Sequence, residues 1–175
     1  MNDKQKMLVL SVLNNKSQRV GKISDEEFLA LYPSNCIHVN EFVSKVLSES
    51  YASMDAESVE FSLYIGFHFG FSNADEFILD QLLMSDFHCR HADVVRALVL
   101  IKASSNDTVD ALFNCALKEF DYLSDDRDNG IYSLPFDCIH ALAKIKTIYA
   151  GEKIKVLFEC DNYEVRNKAM QLMDK

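Results

Sequence analysis

Four segments of this chain place a β-branched apolar residue one turn after the residue that opens a helix. Asp55 precedes Val59, His91 precedes Val95, Pro135 precedes Ile139 and Asp161 precedes Val165. A further apolar residue follows one turn on, at Leu63, Val99, Ala143 and Ala169. Residues four apart share a helix face, so each segment predicts a helix whose apolar stripe starts at the same register. The marked positions recur at intervals of 36, 44 and 26 residues, irregular but within the range of paired-helix repeats. Chains of this kind stack helical hairpins and work mainly by presenting a surface. The first expectation is therefore a binding protein.

Capping and turn residues extend this into an architecture. A first helix is expected over residues 3–14, and Ser24-Asp-Glu-Glu27 is a capping box opening a short helix that ends by Pro33. Four hairpins follow, at 40–52 with 56–70, 74–85 with 91–104, 107–123 with 134–147, and 150–159 with 162–174. Asn73-Ala-Asp-Glu76 and Asp161-Asn-Tyr-Glu164 read as capping starts. Short links make consecutive helices antiparallel. The expected fold is all-α, one domain over residues 1–175, with N-terminal helices in 1–35 and repeats in 36–175. One stretch resists this. From Val59 to Phe71 every odd position is apolar, the alternation of a half-buried strand. Tyr64, Gly66 and Gly70 make the even positions too apolar for a solvated face, and no partner strand of similar quality exists. A largely buried central helix is the better reading.

Charge and cysteine usage narrow the function. With 18 basic and 27 acidic residues the net charge is −9, which argues against direct nucleic-acid binding and favours a basic protein partner. Cys36, Cys89, Cys115, Cys138 and Cys160 are odd in number and lack CxxC spacing, as expected of free thiols in the cytoplasm. Lys4 and Lys6 before a short apolar stretch resemble a signal peptide only faintly, and no segment is long enough to span a membrane.

Candidate sites are few. His88 and His91, with Cys89 or Asp93, supply too few ligands for zinc, and a junction in which imidazoles bond free backbone groups at helix ends is the expected role. Neither metal nor cofactor is expected. Glu119–Asp128 holds five acids, yet as a calcium loop it would put Arg127 and Phe136 at ligand positions. It reads either as a solvated loop or as a docking surface for a basic partner, with Tyr122 and Tyr132 as aromatic anchors. Arg96 and Arg166 are expected to pair with acids in a partly buried ladder. GxSxG, P-loop and dinucleotide fingerprints are absent from the sequence, and no enzymatic activity is expected.

Several of these segments together resemble a known family. Phe87-His-x-x-His91-x-Asp93, Phe120-Asp-Tyr-Leu123, Cys138-Ile-His-Ala-Leu142 and Asp161-Asn-Tyr-Glu-Val-Arg166 are similar, in order and spacing, to small bacterial HEAT-like repeat proteins. The resemblance covers residues 55–175, and Phe87 and His140 stand where that family often has tryptophan. It implies a right-handed α-solenoid of about four hairpins. Some of these proteins resemble immunity proteins of contact-dependent growth inhibition and other polymorphic toxin systems. That implies a cognate toxin domain as partner, a basic RNase or DNase whose phosphate-binding surface an acidic protein can cover. The contact is expected at Asp121, Tyr122, Asp125, Asp126, Asp128 and Tyr132, with Asp86 nearby. A HEAT-like adaptor with an endogenous partner is the alternative. A lyase acting on tetrapyrroles, in the manner of bilin lyases, would need a pocket that nothing in the sequence indicates.

Overall fold

The structure, a computed structural model, describes residues 1–13, 21–32, 38–123 and 132–173, and among these it is built of ten α-helices with no strand. The helices group into two compact units, Met1–Ser72 and Asn73–Lys175.

The first unit holds α1 (Asp3–Val12), α2 (Asp25–Leu31), α3 (Val39–Ser53) and α4 (Ala56–Phe69). Each start with a side-chain cap satisfies an amide that the helix leaves free. Asn2 and Gln5 form a reciprocal capping box on α1, Ser24 accepts from the Glu27 amide, and Asp55 accepts from the Ser58 amide. The alternating stretch from Val59 is helical as far as Phe69, where Gly70, at φ +96°, ends it. Its two-residue period has a physical origin in burial on more than one side. Val59, Leu63 and Ile65 are buried, and so are Ser58, Ser62 and Gly66 between them. A helix wrapped this way has no broad polar face to impose a 3.6-residue rhythm.

Small residues let α3 and α4 approach closely. The hydroxyls of Ser50 and Ser62 lie 3.1 Å apart, each also donating to its own helix, at Leu47 O and Val59 O. Gly66 leaves the space that the Phe71 ring fills; a β-carbon there would sit 2.1 Å from Phe71 Cε1. Phe28, Tyr32, Phe42 and Phe69 make the aromatic centre of the unit, with Phe42 edge-on to its neighbours at 4.9–6.2 Å.

The second unit holds α5 (Glu76–Met84), α6 (His91–Leu100), α7 (Asn106–Leu117), α8 (Ser133–Lys144), α9 (Ile148–Leu157) and α10 (Tyr163–Met173). Sequential helices pair as α5–α6, α7–α8 and α9–α10. Next-but-one helices also pack, α5 on α7 on α9 and α6 on α8 on α10. The repeated register explains the burial: Val59, Val95, Ile139 and Val165 are each at most 3% exposed, and each lies in the second helix of its hairpin. Cys115 on α7 and Cys138 on α8 are buried free thiols, whereas Cys89 is exposed; Cys36 lies outside the described residues.

Two expected helix starts are corrected. Asn73–Asp75 forms a 3-10 turn leading into α5, and no side chain among the described residues caps that helix. At α10 the cap is Asn162 rather than Asp161, with Asn162 Oδ1 accepting from the amides of Glu164 and Val165. The asparagine reaches these amides because it stands one residue closer to the first turn.

Phe42 is 1% exposed and central to its ring cluster. Phe42→Ala should destabilise the first unit by about 3–5 kcal/mol, seen as a lower urea midpoint; a loss below about 1 kcal/mol would show that the cluster does not hold this unit together.

Candidate functional site

The end of the second unit where α5 stops and α6 begins is tied by two histidines. His88 Nε2 donates to Leu82 O at 2.9 Å, and His88 Nδ1 accepts from the Arg90 amide at 3.1 Å. His91 Nε2 donates to Ser85 O at 2.7 Å. Both carbonyls belong to the last turn and cap of α5, where helical partners run out. The remaining nitrogen, His91 Nδ1, is 2.9 Å from the Tyr122 hydroxyl. Since Nε2 must carry its proton to bond a carbonyl, Nδ1 is the acceptor and Tyr122 the donor. The two imidazoles stack 4.4 Å apart, and Phe120 lies 4.1 Å from the His91 ring. Desolvation holds His91 neutral, its pKa lowered to about 4, and lowers His88 for the same reason. All four ring nitrogens are thus engaged in a helix junction, with no lone pair left for a metal ion.

This knot positions the segment after α7. Tyr122, raised above the usual phenol range by burial, anchors the 3-10 turn Asp121–Leu123 onto α6. Lys118, just past α7, forms an ion pair with Asp86 at 2.5 Å and lies 5.0 Å over the Phe120 ring. Beside this segment opens a cleft of about 790 Å³. One wall carries Glu119 and Asp121, and the facing turn between α9 and α10 carries Glu159 and Asp161. Phe120, Tyr132 and Pro135 supply its apolar and aromatic lining. The facing turn is held from behind, because Arg166 donates to Cys160 O at 2.9 Å and Asn162 caps α10. Among the described residues, four carboxylates against one already paired lysine make the cleft acidic.

The residues expected at a partner contact separate into groups. Asp121 and Tyr132 line the cleft. Tyr122 is 39% exposed but spends its hydroxyl on His91, so it supports the cleft from behind. Asp86 is exposed and reaches the same segment through Lys118. Asp125, Asp126 and Asp128 lie outside the described residues. Glu119 belongs to the acidic segment expected as a docking surface, whereas Glu159 and Asp161 are not among the expected contacts. A signal for them exists in the sequence: Glu159-Cys-Asp161 closes the last hairpin at the end where Asp121 follows α7. Two arginine expectations are corrected. Arg96 is exposed rather than partly buried, and Arg166 bonds a backbone carbonyl and covers Tyr163 rather than pairing with an acid of a neighbouring repeat.

A second polar cluster lies between α5 and α7. Thr108 Oγ1 is within 3.0 Å of three oxygens, Ser105 Oγ, Glu76 Oε1 and Asp80 Oδ2. A hydroxyl carries one proton, so Thr108 can donate to only one of the two carboxylates at a time. Glu76 accepts from the amides of Ser104 and Ser105 and is held below the usual carboxylate range by those bonds. Asp80 is 4% exposed, its Oδ1 has no partner among the described residues, and burial pushes its pKa up to about 7. Of the two carboxyls, Asp80 is the one whose surroundings favour the protonated form.

Comparison with known families, curated proteins and solved structures finds no match to this chain.

His91 and Asp80 give stability opposite pH dependences. His91 binds its proton near 6.5 when unfolded and near 4 when folded, so it contributes stability that is lost as pH falls through that window. Asp80 holds its proton up to about 7 when folded but to 3.8 when unfolded, so its contribution is lost as pH rises from 4 to 7. Between pH 4 and 6.5, His91→Gln should flatten the rise of unfolding free energy with pH, and Asp80→Asn should steepen it. Each change is at most about 1.4 kcal/mol per pH unit. Urea midpoints measured across this range check both signs; parallel curves for wild type and both variants would contradict the protonation states assigned here.

Proposed function

We propose that this chain is an immunity protein that neutralises a basic, nuclease-type toxin domain by binding and occluding it. The observation that supports this reading most is the acidic cleft between the α7–α8 segment and the α9–α10 turn. Its carboxylates come from separate elements, they edge an aromatic floor, and the chain as a whole carries −9. A toxin that grips nucleic acid must present cations to phosphate, and those cations are what such a cleft attracts. Tyr132 and Phe120 suit the apolar part of an inserted lysine or arginine side chain. The packing of next-but-one helices in the second unit supports a HEAT-like stack of hairpins, whose repeat turns share one edge. The site of action we assign is the cytosol, where the toxin would meet its nucleic acid.

The test is co-expression with the toxin domain encoded beside this chain, followed by binding kinetics. Cells should survive with the wild-type protein and die with a variant carrying Asp121→Lys, Glu159→Lys and Asp161→Lys. The same variant should associate at least about tenfold more slowly at low salt and show a weaker dependence on salt. Tyr132→Ala should act mainly by faster dissociation. Death of cells expressing the wild type would end the immunity reading and leave an adaptor role. Survival with unchanged kinetics in the triple lysine variant would keep immunity but move the contact away from this cleft.

A further inference from the structure

A second cavity of the same unit has the opposite character. It has a volume of about 570 Å³ and lies where α6 and α8 end and α7 begins. Its walls are apolar, formed by Leu98, Val99, Leu112, Ala141 and Ile145. Lys102, Lys144 and Lys146 also line it; all three are exposed, and none has an acidic partner among the described residues. The volume is that of a small-molecule site. An apolar cavity edged by three such cations, in a chain of net charge −9, is complementary to a molecule with an apolar body and an anionic head.

The backbone at Lys102 adds an independent observation. α6 ends in a Schellman motif, with the Ala103 amide donating to Leu98 O at 3.0 Å and the Lys102 amide to Val99 O at 3.2 Å. The residue at the left-handed position of this motif is ordinarily glycine, which adopts it without a steric cost. Here it is lysine, at φ +55°. Met54 at the end of α3 shares this left-handed conformation, at φ +49°; at Lys102 it sets a cation at the edge of the cavity. Lys144 and Lys146 bracket Ile145 at the end of α8, so the three ammonium groups come from two separate links that converge on one cavity.

We propose that this cavity binds a small amphipathic carboxylate, with the acyl chain against Leu98, Leu112 and Ile145 and the carboxylate among Lys102, Lys144 and Lys146. The site is separate from the acidic cleft, and the proposal stands without the immunity reading. Isothermal titration calorimetry with monomeric decanoate tests it, with decanol and decylammonium as controls. Saturable one-to-one binding of decanoate, clearly weaker binding of decanol and none of decylammonium are expected. Val99→Trp should block the cavity and abolish binding. The variant with Lys102→Gln, Lys144→Gln and Lys146→Gln changes only exposed side chains; it should stay folded and bind decanoate about tenfold more weakly. Lys102→Gly alone should raise the melting temperature while weakening binding, a pairing that a purely structural lysine would not produce. Absence of saturable decanoate binding, equal binding of decanol, or unchanged affinity in the triple glutamine variant would overturn the proposal. So would binding to phosphatidylglycerol vesicles without binding to monomeric decanoate.

Discussion

A single part-buried hydrogen bond organises the cleft end of the second unit. Tyr122 donates to His91 across 31 positions of sequence, and His91 spends its other nitrogen on the end of α5. Three elements, the tail of α5, the start of α6 and the segment after α7, are therefore held by one neutral imidazole. Neutrality is required, because a charged imidazole at 0% exposure would lose its solvation without a carboxylate to replace it. Lys118 and Asp86 close the same junction from outside. The acidic wall of the cleft inherits its position from this arrangement, since Glu119 and Asp121 flank Phe120, whose ring rests on His91.

Much of the helical framework is legible in the sequence because its signals are local. Ser24, Asp55 and the marked β-branched residues each act within one turn, and a turn can be read from spacing alone. Contacts that depend on distant chain are not legible in this way. Arg166 is recognisable as a cation needing a partner, but its choice of Cys160 O depends on how the α9–α10 turn folds back. Asp161 resembles a cap only if the helix start is placed one residue early; with Asn162 as the cap, Asp161 is left to line the cleft. Tyr122 and Tyr132 look alike in sequence, and only tertiary structure separates a donor committed to His91 from a residue lining the cleft. Asp80 gives no signal at all. Its raised pKa follows first from burial, which comes only when α5 packs on α7, with the nearby Glu76 carboxylate adding to it.

The second unit thus separates its charge. Carboxylates gather where α7 and α9 end, whereas three lysines edge the cavity where α6 and α8 end. Antiparallel hairpins place these two sets of termini at opposite ends of the helices, so the acidic cleft and the lysine-edged cavity lie apart. Helix dipoles favour the lysines at the ends of α6 and α8; at the α9–α10 turn the end of α9 opposes the acids while the start of α10 favours them. The meeting of Glu119, Asp121, Glu159 and Asp161 at one cleft has no evident role in helix stability, and the partner binding proposed above would give a reason for it.

The most direct test of that reason is the hydrogen-exchange footprint of this protein in complex with the proposed partner, a basic toxin domain sought among the neighbouring genes. The account predicts slowed exchange concentrated at residues 118–123 and 159–162, the two walls of the acidic cleft. Protection confined to the lysine-edged cavity or to the first unit, with the cleft exchanging as in the free protein, would contradict it.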